Sequence, residues 1–254
     1  MRIVIKVGTS TLTHKTGMLN IRGVGELCRV IADLKNAGNE IILVSSGAIG
    51  MGVGKLQLGS RPDDMPTKQA AAAVGQCELM YTYDKLFSEY RHTVAQILVT
   101  QYDIDSDAHR EHFRNTLFRL LELNTIPIIN ENDTVATAEI AIGDNDVLGA
   151  EAAVNADADL LVILSDIDGL YTADPHKNAD ASLIHEVRDL DSVVKLATGS
   201  ISGQGTGGME TKIKAARIAA AAGIDTVIAS GADPEILYTI AEGGQAGTRF
   251  FAAK

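Results

Sequence analysis

Through most of the chain, short runs of aliphatic and β-branched residues alternate with longer stretches whose apolar positions recur every three or four residues. That switch of period is the mark of βαβ units, and unbroken apolar runs indicate strands buried on both faces of a mostly parallel sheet. The pattern predicts strands at 3–7, 41–44, 94–99, 126–129, 160–164, 226–229 and 249–252. It predicts a helix through Val24, Leu27, Cys28, Ile31 and Leu34, stopped by Gly38. Further helices are predicted at 68–87, 107–123, 145–155 and 211–222, with one more led by Pro234. The stretch 51–66 holds Gly52, Gly54, Gly59, Pro62 and Pro66, and reads as a long loop of the kind that often serves as a lid. Residues 137–142 look like a hairpin arm, which makes the sheet mixed. No repeat or low-complexity linker divides the chain, so any two lobes meet near Asp157 to Asp159, as 1–158 and 159–254, and share one sheet.

Length and charge narrow the function. A chain of 254 residues has room for a large core. Its 33 acidic and 22 basic residues leave a net charge of −11, which argues against a nucleic-acid footprint. With aromatics at 4% and no Trp, a base-stacking platform is also excluded. Any anionic ligand must be held by local groups. Cys28 and Cys77 have no metal-ligand spacing and read as small core residues of a reducing compartment. The longest apolar runs fall far short of the roughly 18 residues a membrane span needs, and Met1 leads straight into a strand with no secretory signal. A cytoplasmic location, without membrane or nucleic-acid partners, is the expectation.

The strongest chemical signal is Gly203-Gln204-Gly205-Thr206-Gly207-Gly208-Met209-Glu210-Thr211-Lys212, directly before an Ala-rich helix. Glycines let the backbone approach a ligand closely, and a helix start offers unpaired N–H groups, so the segment suits phosphate. It is neither a dinucleotide fingerprint, because no apolar strand precedes it, nor a Walker loop, because Met209 stands where the lysine belongs. A surface turn is the alternative. Lys6 interrupts the first strand just before Gly8-Thr9-Ser10, and Ser45-Ser46-Gly47-Ala48 follows the second. Open α/β sheets bind ligands beyond the carboxyl ends of their strands, so these groups point to one crevice. Asn130-Glu131-Asn132-Asp133 and Gly143-Asp144-Asn145-Asp146 lie at the same edge, where they could also be turn and cap residues. His109 and His112 lack HExxH spacing and have cationic neighbours, which argues against a metal site.

KVGTS at 6–10, SSGAIG at 45–50, INENDTVATAEI at 129–140, GDND at 143–146, SDIDGLYTADP at 165–175 and GTGGMETK at 205–212 resemble the amino-acid kinase family nearly end to end. Within it, they are most similar to the branch that acts on the γ-carboxylate of glutamate at the head of proline synthesis. The resemblance implies an α/β fold, an open αβα sandwich whose first part binds L-glutamate and whose second part binds ATP. Lys6 and Lys212 would neutralise the transferring phosphoryl group from opposite sides, with Asp146 holding both. Gly8 and Gly47 would offer backbone donors to phosphate. Ser46, Asp133 and Asn145 match glutamate-binding positions. Ser165, Asp166 and the stretch Thr206, Gly207, Gly208, Met209, Glu210, Thr211 and Lys212 match the nucleotide site. Mg²⁺ would arrive on ATP without protein ligands.

The resemblance further implies proline as an inhibitor overlapping the glutamate site, and a homo-oligomer, dimer or tetramer. Many members carry a C-terminal domain of an RNA-binding type, to which nothing up to Lys254 corresponds. Two other readings are a family kinase acting on acetylglutamate, carbamate, a nucleotide monophosphate or aspartate, and a non-catalytic amino-acid sensor. A phosphorylated acceptor calls for Arg or Lys in its pocket, and 129–140 has none. A sensor is expected to lose a catalytic lysine, and Lys6 and Lys212 are both present.

Overall fold

The computed structural model describes residues 1–136, 145–197 and 208–252, except 15, 17, 176 and 179. In chain order the first half runs β1 (Arg2–Val7), α1 (Thr9–Leu12), α2 (Ile21–Asn36), β2 (Glu40–Ser45), α3 (Ala48–Lys55), α4 (Met65–Ser88), β3 (Val94–Val99), α5 (Gln101–Asp105), α6 (Asp107–Glu122), β4 (Ile126–Glu131) and α7 (Asn145–Asn155). The second half runs β5 (Leu160–Ser165), β6 (Glu186–Val187), α8 (Leu190–Ala197), α9 (Met209–Ala221), β7 (Asp225–Ser230), α10 (Ile236–Ala241) and β8 (Thr248–Phe250).

The strands form one sheet in the order β3-β4-β2-β1-β5-β7-β8-β6. The neighbours from β3 through to β7 are all parallel, and β8 runs antiparallel to β7. The mixed character thus comes from β8, while the hairpin arm expected at 137–142 lies outside the described residues. Strand β1 sits between the two halves, with Val7 opposite Ser45 on one side and Leu164 on the other. The carboxyl ends of β3, β4, β2, β1, β5 and β7 therefore lie at the same edge.

Strand parity sets the two faces. Ile3, Ile5, Ile41, Leu43, Ile126, Ile128, Val162 and Leu164 pack with Leu27, Ile31, Leu79, Tyr83 and Leu237 of α2, α4 and α10. Val4, Ile42, Val44, Ile129, Leu161 and Ile163 pack with Phe113, Leu117, Leu148 and Ile213 of α6, α7 and α9 on the other face. Lys6 shares parity with Val4, so its side chain leaves β1 on the α7–α9 face. The Ala-rich side of α9 (Ala215, Ala216, Ala219) lies in that core with Ala150, Ala152 and Ala153 of α7, so these two helices approach closely.

Helix ends follow local chemistry. Asn20 caps α2 by accepting from Gly23 N at 3.1 Å, and Gly38 ends it with φ +92°. Asp64 accepts from Thr67 N at 2.9 Å to open α4, three residues before the predicted start. Two expectations need correction. Residues 51–55 of the supposed loop belong to helix α3, because Gly52 and Gly75 let α3 and α4 meet backbone to backbone. A Cβ on Gly75 would lie 1.7 Å from Ala48 O, and one on Gly52 would lie 1.8 Å from Ala71 O. Cys28 is a core residue, but Cys77 is exposed on the outer side of α4. The short elements α1, α3, α5, α8 and β6 carry too few residues to show a period in the sequence.

Candidate active site

Asp146, in the first turn of α7, is fully buried and lies between two lysines. Lys6 Nζ is 2.5 Å from its Oδ1 and Lys212 Nζ is 3.0 Å from its Oδ2. The lysines are themselves only 5% and 4% exposed. Burial by itself would push the Asp146 carboxyl up, but Lys6, and after it Lys212, hold it below the ordinary aspartate value. Two lysines thus share one carboxylate, buried beside the strand ends.

Each side chain owes its place to a local device. The stem of Lys6 lies across Gly149 of α7, where an added Cβ would stand 3.2 Å from Lys6 Cβ. Lys212 occupies the first turn of α9, where the helix dipole disfavours a cation by about 0.3–1 kcal/mol, so its position does not serve the helix. The Thr211 hydroxyl, with one proton to give, lies 3.1 Å from Asp146 Oδ2 and 2.8 Å from Gly208 O, placing the helix start against the carboxylate. Gly8 sits over the other lysine, its Cβ direction 3.8 Å from Lys6 Nζ.

Next to the cluster, Asn145 Nδ2 donates to Ser46 Oγ at 2.8 Å and to Asn130 Oδ1 at 2.9 Å. Gly47, with φ +104°, turns the chain from Ser46 into α3, a conformation that favours glycine. Asp133 is partly buried, and burial raises its carboxyl above the ordinary value, offset in part by Arg61. Among the described residues no side chain hydrogen-bonds to it. On the far side of β1, Ser165 Oγ donates to Asp166 Oδ1 at 3.1 Å, and Gly231 N donates to Ser165 O at 2.7 Å, joining the ends of β5 and β7.

Residues 1–230 match the family model described as amino acid kinase. The chain belongs to the amino acid kinase family. A Clostridium perfringens protein named glutamate 5-kinase is 48% identical over 258 residues, which cover 100% of this chain and 96% of the relative. The glutamate 5-kinase of Carboxydothermus hydrogenoformans is 52% identical over 258 residues, covering 100% of this chain and 68% of its own length. The solved structure of carbamate kinase from Giardia lamblia bound to AMP-PNP matches with a TM-score of 0.70 at 16% identity, over 98% of both chains, and so shares the fold.

In this amino acid kinase the αβα sandwich expected from the motifs is the fold observed. Of the residues singled out in the sequence, Lys6, Gly8, Asp146, Thr211 and Lys212 lie together, and Ser46 and Asn145 join one another beside them. Ser165 and Asp166 stand at the end of the strand next to β1. Glu210 is exposed, and Met209 turns its side chain into the core. Thr206 and Gly207 lie outside the described residues. Sequence reasoning gave no role to Gly149, Gln76 or Gln96, and read Asn130 only as part of a polar strand end. The one available signal was Gln76, a polar residue on the buried stripe of α4 formed by Ala72, Gly75, Leu79 and Tyr83.

Proposed function

We infer that this chain transfers the γ-phosphoryl group of ATP to the γ-carboxylate of L-glutamate, giving γ-glutamyl phosphate and ADP, the first step of proline synthesis. The observation that carries this is the buried Lys6–Asp146–Lys212 cluster, in a chain 48% and 52% identical over its whole length to proteins that bear glutamate 5-kinase as their name. A carboxylate oxygen attacks the γ-phosphorus as the bond to the β-phosphate oxygen breaks. The acceptor is already ionised, so no general base is needed, and catalysis reduces to positioning and charge neutralisation. The two ammonium groups, Lys6 from β1 and Lys212 from α9, are suited to a phosphoryl group in flight.

In this reading Lys6, Asp146 and Lys212 are catalytic. Ser46, Gly47, Asp133 and Asn145 hold glutamate. Gly8, Ser165, Asp166 and residues 206–212 hold the nucleotide, so that 1–158 forms the acceptor lobe and 159–254 the ATP lobe. Asp133 favours a free α-ammonium over an acetylated nitrogen, because an amide would leave a partly buried carboxylate with only the partial offset of Arg61.

Among the described residues no group of three His, Cys, Asp or Glu side chains is arranged to hold a metal ion, and both Asp146 oxygens already face ammonium groups. We propose that the Mg²⁺ accompanying ATP is held by the nucleotide phosphates and water. We also propose a cytoplasmic homo-oligomer, dimer or tetramer, inhibited by proline. Among the described residues no helix is long and apolar enough to cross a membrane.

The test is incubation with MgATP, glutamate and hydroxylamine, in which an acyl phosphate is trapped as γ-glutamyl hydroxamate. Hydroxamate formed with glutamate supports the reading. Product from acetylglutamate alone would overturn the substrate.

A further inference from the structure

A line of buried amides runs from the acceptor side of the site through the sheet to α4. Asn130, at the carboxyl end of β4 and 2% exposed, has the same strand parity as Ile126 and Ile128 and so faces α4. Its Nδ2 donates to Gln76 Oε1 at 2.9 Å, and Gln76 Nε2 donates to Gln96 Oε1 on the edge strand β3 at 3.1 Å. Gln76 is 7% exposed, in the middle of a helix where an apolar side chain would otherwise fit.

The direction of this line is fixed by the backbone. Glu131 N, which can only donate, points at Asn130 Oδ1 at 2.9 Å. Asn130 must then turn its NH₂ toward Gln76, and Gln76 must answer with its carbonyl oxygen. The same Oδ1 receives Asn145 Nδ2, so Asn145 also presents its NH₂ to Ser46 Oγ. Because the Ser46 oxygen is already accepting, its own proton is left to donate elsewhere. An incoming carboxylate is the acceptor that suits it.

We propose that Gln76 is a positioning residue for the carboxylate acceptor. By accepting from Asn130 it holds in place the amide line whose sense Glu131 N fixes, so that Asn145 keeps its NH₂ on Ser46 and the Ser46 hydroxyl is left as a donor to the substrate. The proposal rests on the glutamate reading above and extends it to a helix that touches no reacting atom. Helix α4 has a second hold on the same place. Ser45 donates its one proton to Ser46 O at 3.0 Å, so the Tyr83 hydroxyl, 2.8 Å away and fully buried, donates to Ser45.

The test is steady-state kinetics of Gln76→Met, which keeps length and volume but loses both hydrogen bonds, beside Gln76→Glu, which keeps an acceptor for Asn130. For Gln76→Met the expected result is a rise of about tenfold in KM for glutamate, the size of one lost buried hydrogen bond. KM for ATP should be unchanged and kcat should move less than threefold. Gln76→Glu should recover at least half of that rise on a logarithmic scale. A merely structural role would lower the melting temperature and the active fraction while leaving KM for glutamate alone. That result, or equal effects on both substrates, overturns the proposal. If Gln76→Met does not fold, Gln96→Ala replaces it: it removes the partner that anchors the Gln76 side chain against Asn130 and should raise KM for glutamate in the same direction, and an unchanged KM overturns the proposal. The wild-type hydroxamate assay separates the two ideas, since a wild type that makes no γ-glutamyl hydroxamate refutes the glutamate reading itself.

Discussion

Two aspartates near the strand ends are perturbed in opposite directions, and the signs give different predictions. Burial opposes the charge on Asp146, but Lys6 and Lys212 overcome it and hold the folded-state value below the ordinary 3.8. Its contribution to stability is present above that value and lost as pH falls through the folded one. Asp146→Asn leaves two buried ammonium groups against a neutral amide, which should cost about 3 kcal/mol or more at pH 7. Thermal melts of both proteins should converge as pH drops below the ordinary aspartate range, and a gap independent of pH would contradict the clamp.

Asp133 is raised by burial, with Arg61 only partly offsetting it, so its ionisation disfavours the fold as pH rises through the folded value. Asp133→Asn is therefore expected to melt higher than wild type at pH 7 while raising KM for glutamate. Lower stability together with unchanged KM would remove Asp133 from the acceptor site. Lys6 was legible as a lysine inside an apolar strand. The partners that give it meaning come from α7 and α9, which no local pattern connects.

Among the elements, α3 and α4 hold the acceptor side in place. Gly75 lets α4 touch the backbone of Ala48, the first residue after the Gly47 turn, and an added methyl there has no room. Gly75→Ala should force the helices apart, costing about 1–3 kcal/mol, and should raise KM for glutamate. Gly25 in α2 is a control of opposite sign, since a Cβ there meets nothing within 4 Å. Gly25→Ala should stabilise the protein by about 0.5–1 kcal/mol through helix propensity alone. Chemical denaturation of both variants measures this, and similar effects from the two would refute the close-packing account.

The long strands and helices were readable because each shows its period over several turns or residues. Helix α3 was not readable, because its glycines signal a loop in sequence and close packing in three dimensions. Only the tertiary contact with α4 distinguishes the two.

For the whole molecule, the sheet order puts β1 between a half built from β2, β3 and β4 and a half built from β5 to β8, all in one sheet. The mostly parallel sheet was legible from unbroken apolar runs, and the antiparallel turn at β8 was not, because three residues carry no direction. Proline shares the α-carboxylate and cationic nitrogen of glutamate but lacks the γ-carboxylate, so as an inhibitor at overlapping anchors it should be antagonised by glutamate. Initial rates over a grid of both ligands should show the half-inhibiting proline concentration rising with glutamate. Inhibition that saturating glutamate leaves untouched would place proline at a separate site.

The central claim is that Lys6 from β1 and Lys212 from α9 converge on Asp146 to neutralise the phosphoryl group as it moves. The most direct measurement is kcat and both KM values of Lys212→Ala, followed by hydroxamate formation. The account predicts a fall in kcat on the order of 100-fold or more, with KM for glutamate changed only a few-fold. A variant that keeps near-normal kcat would contradict it.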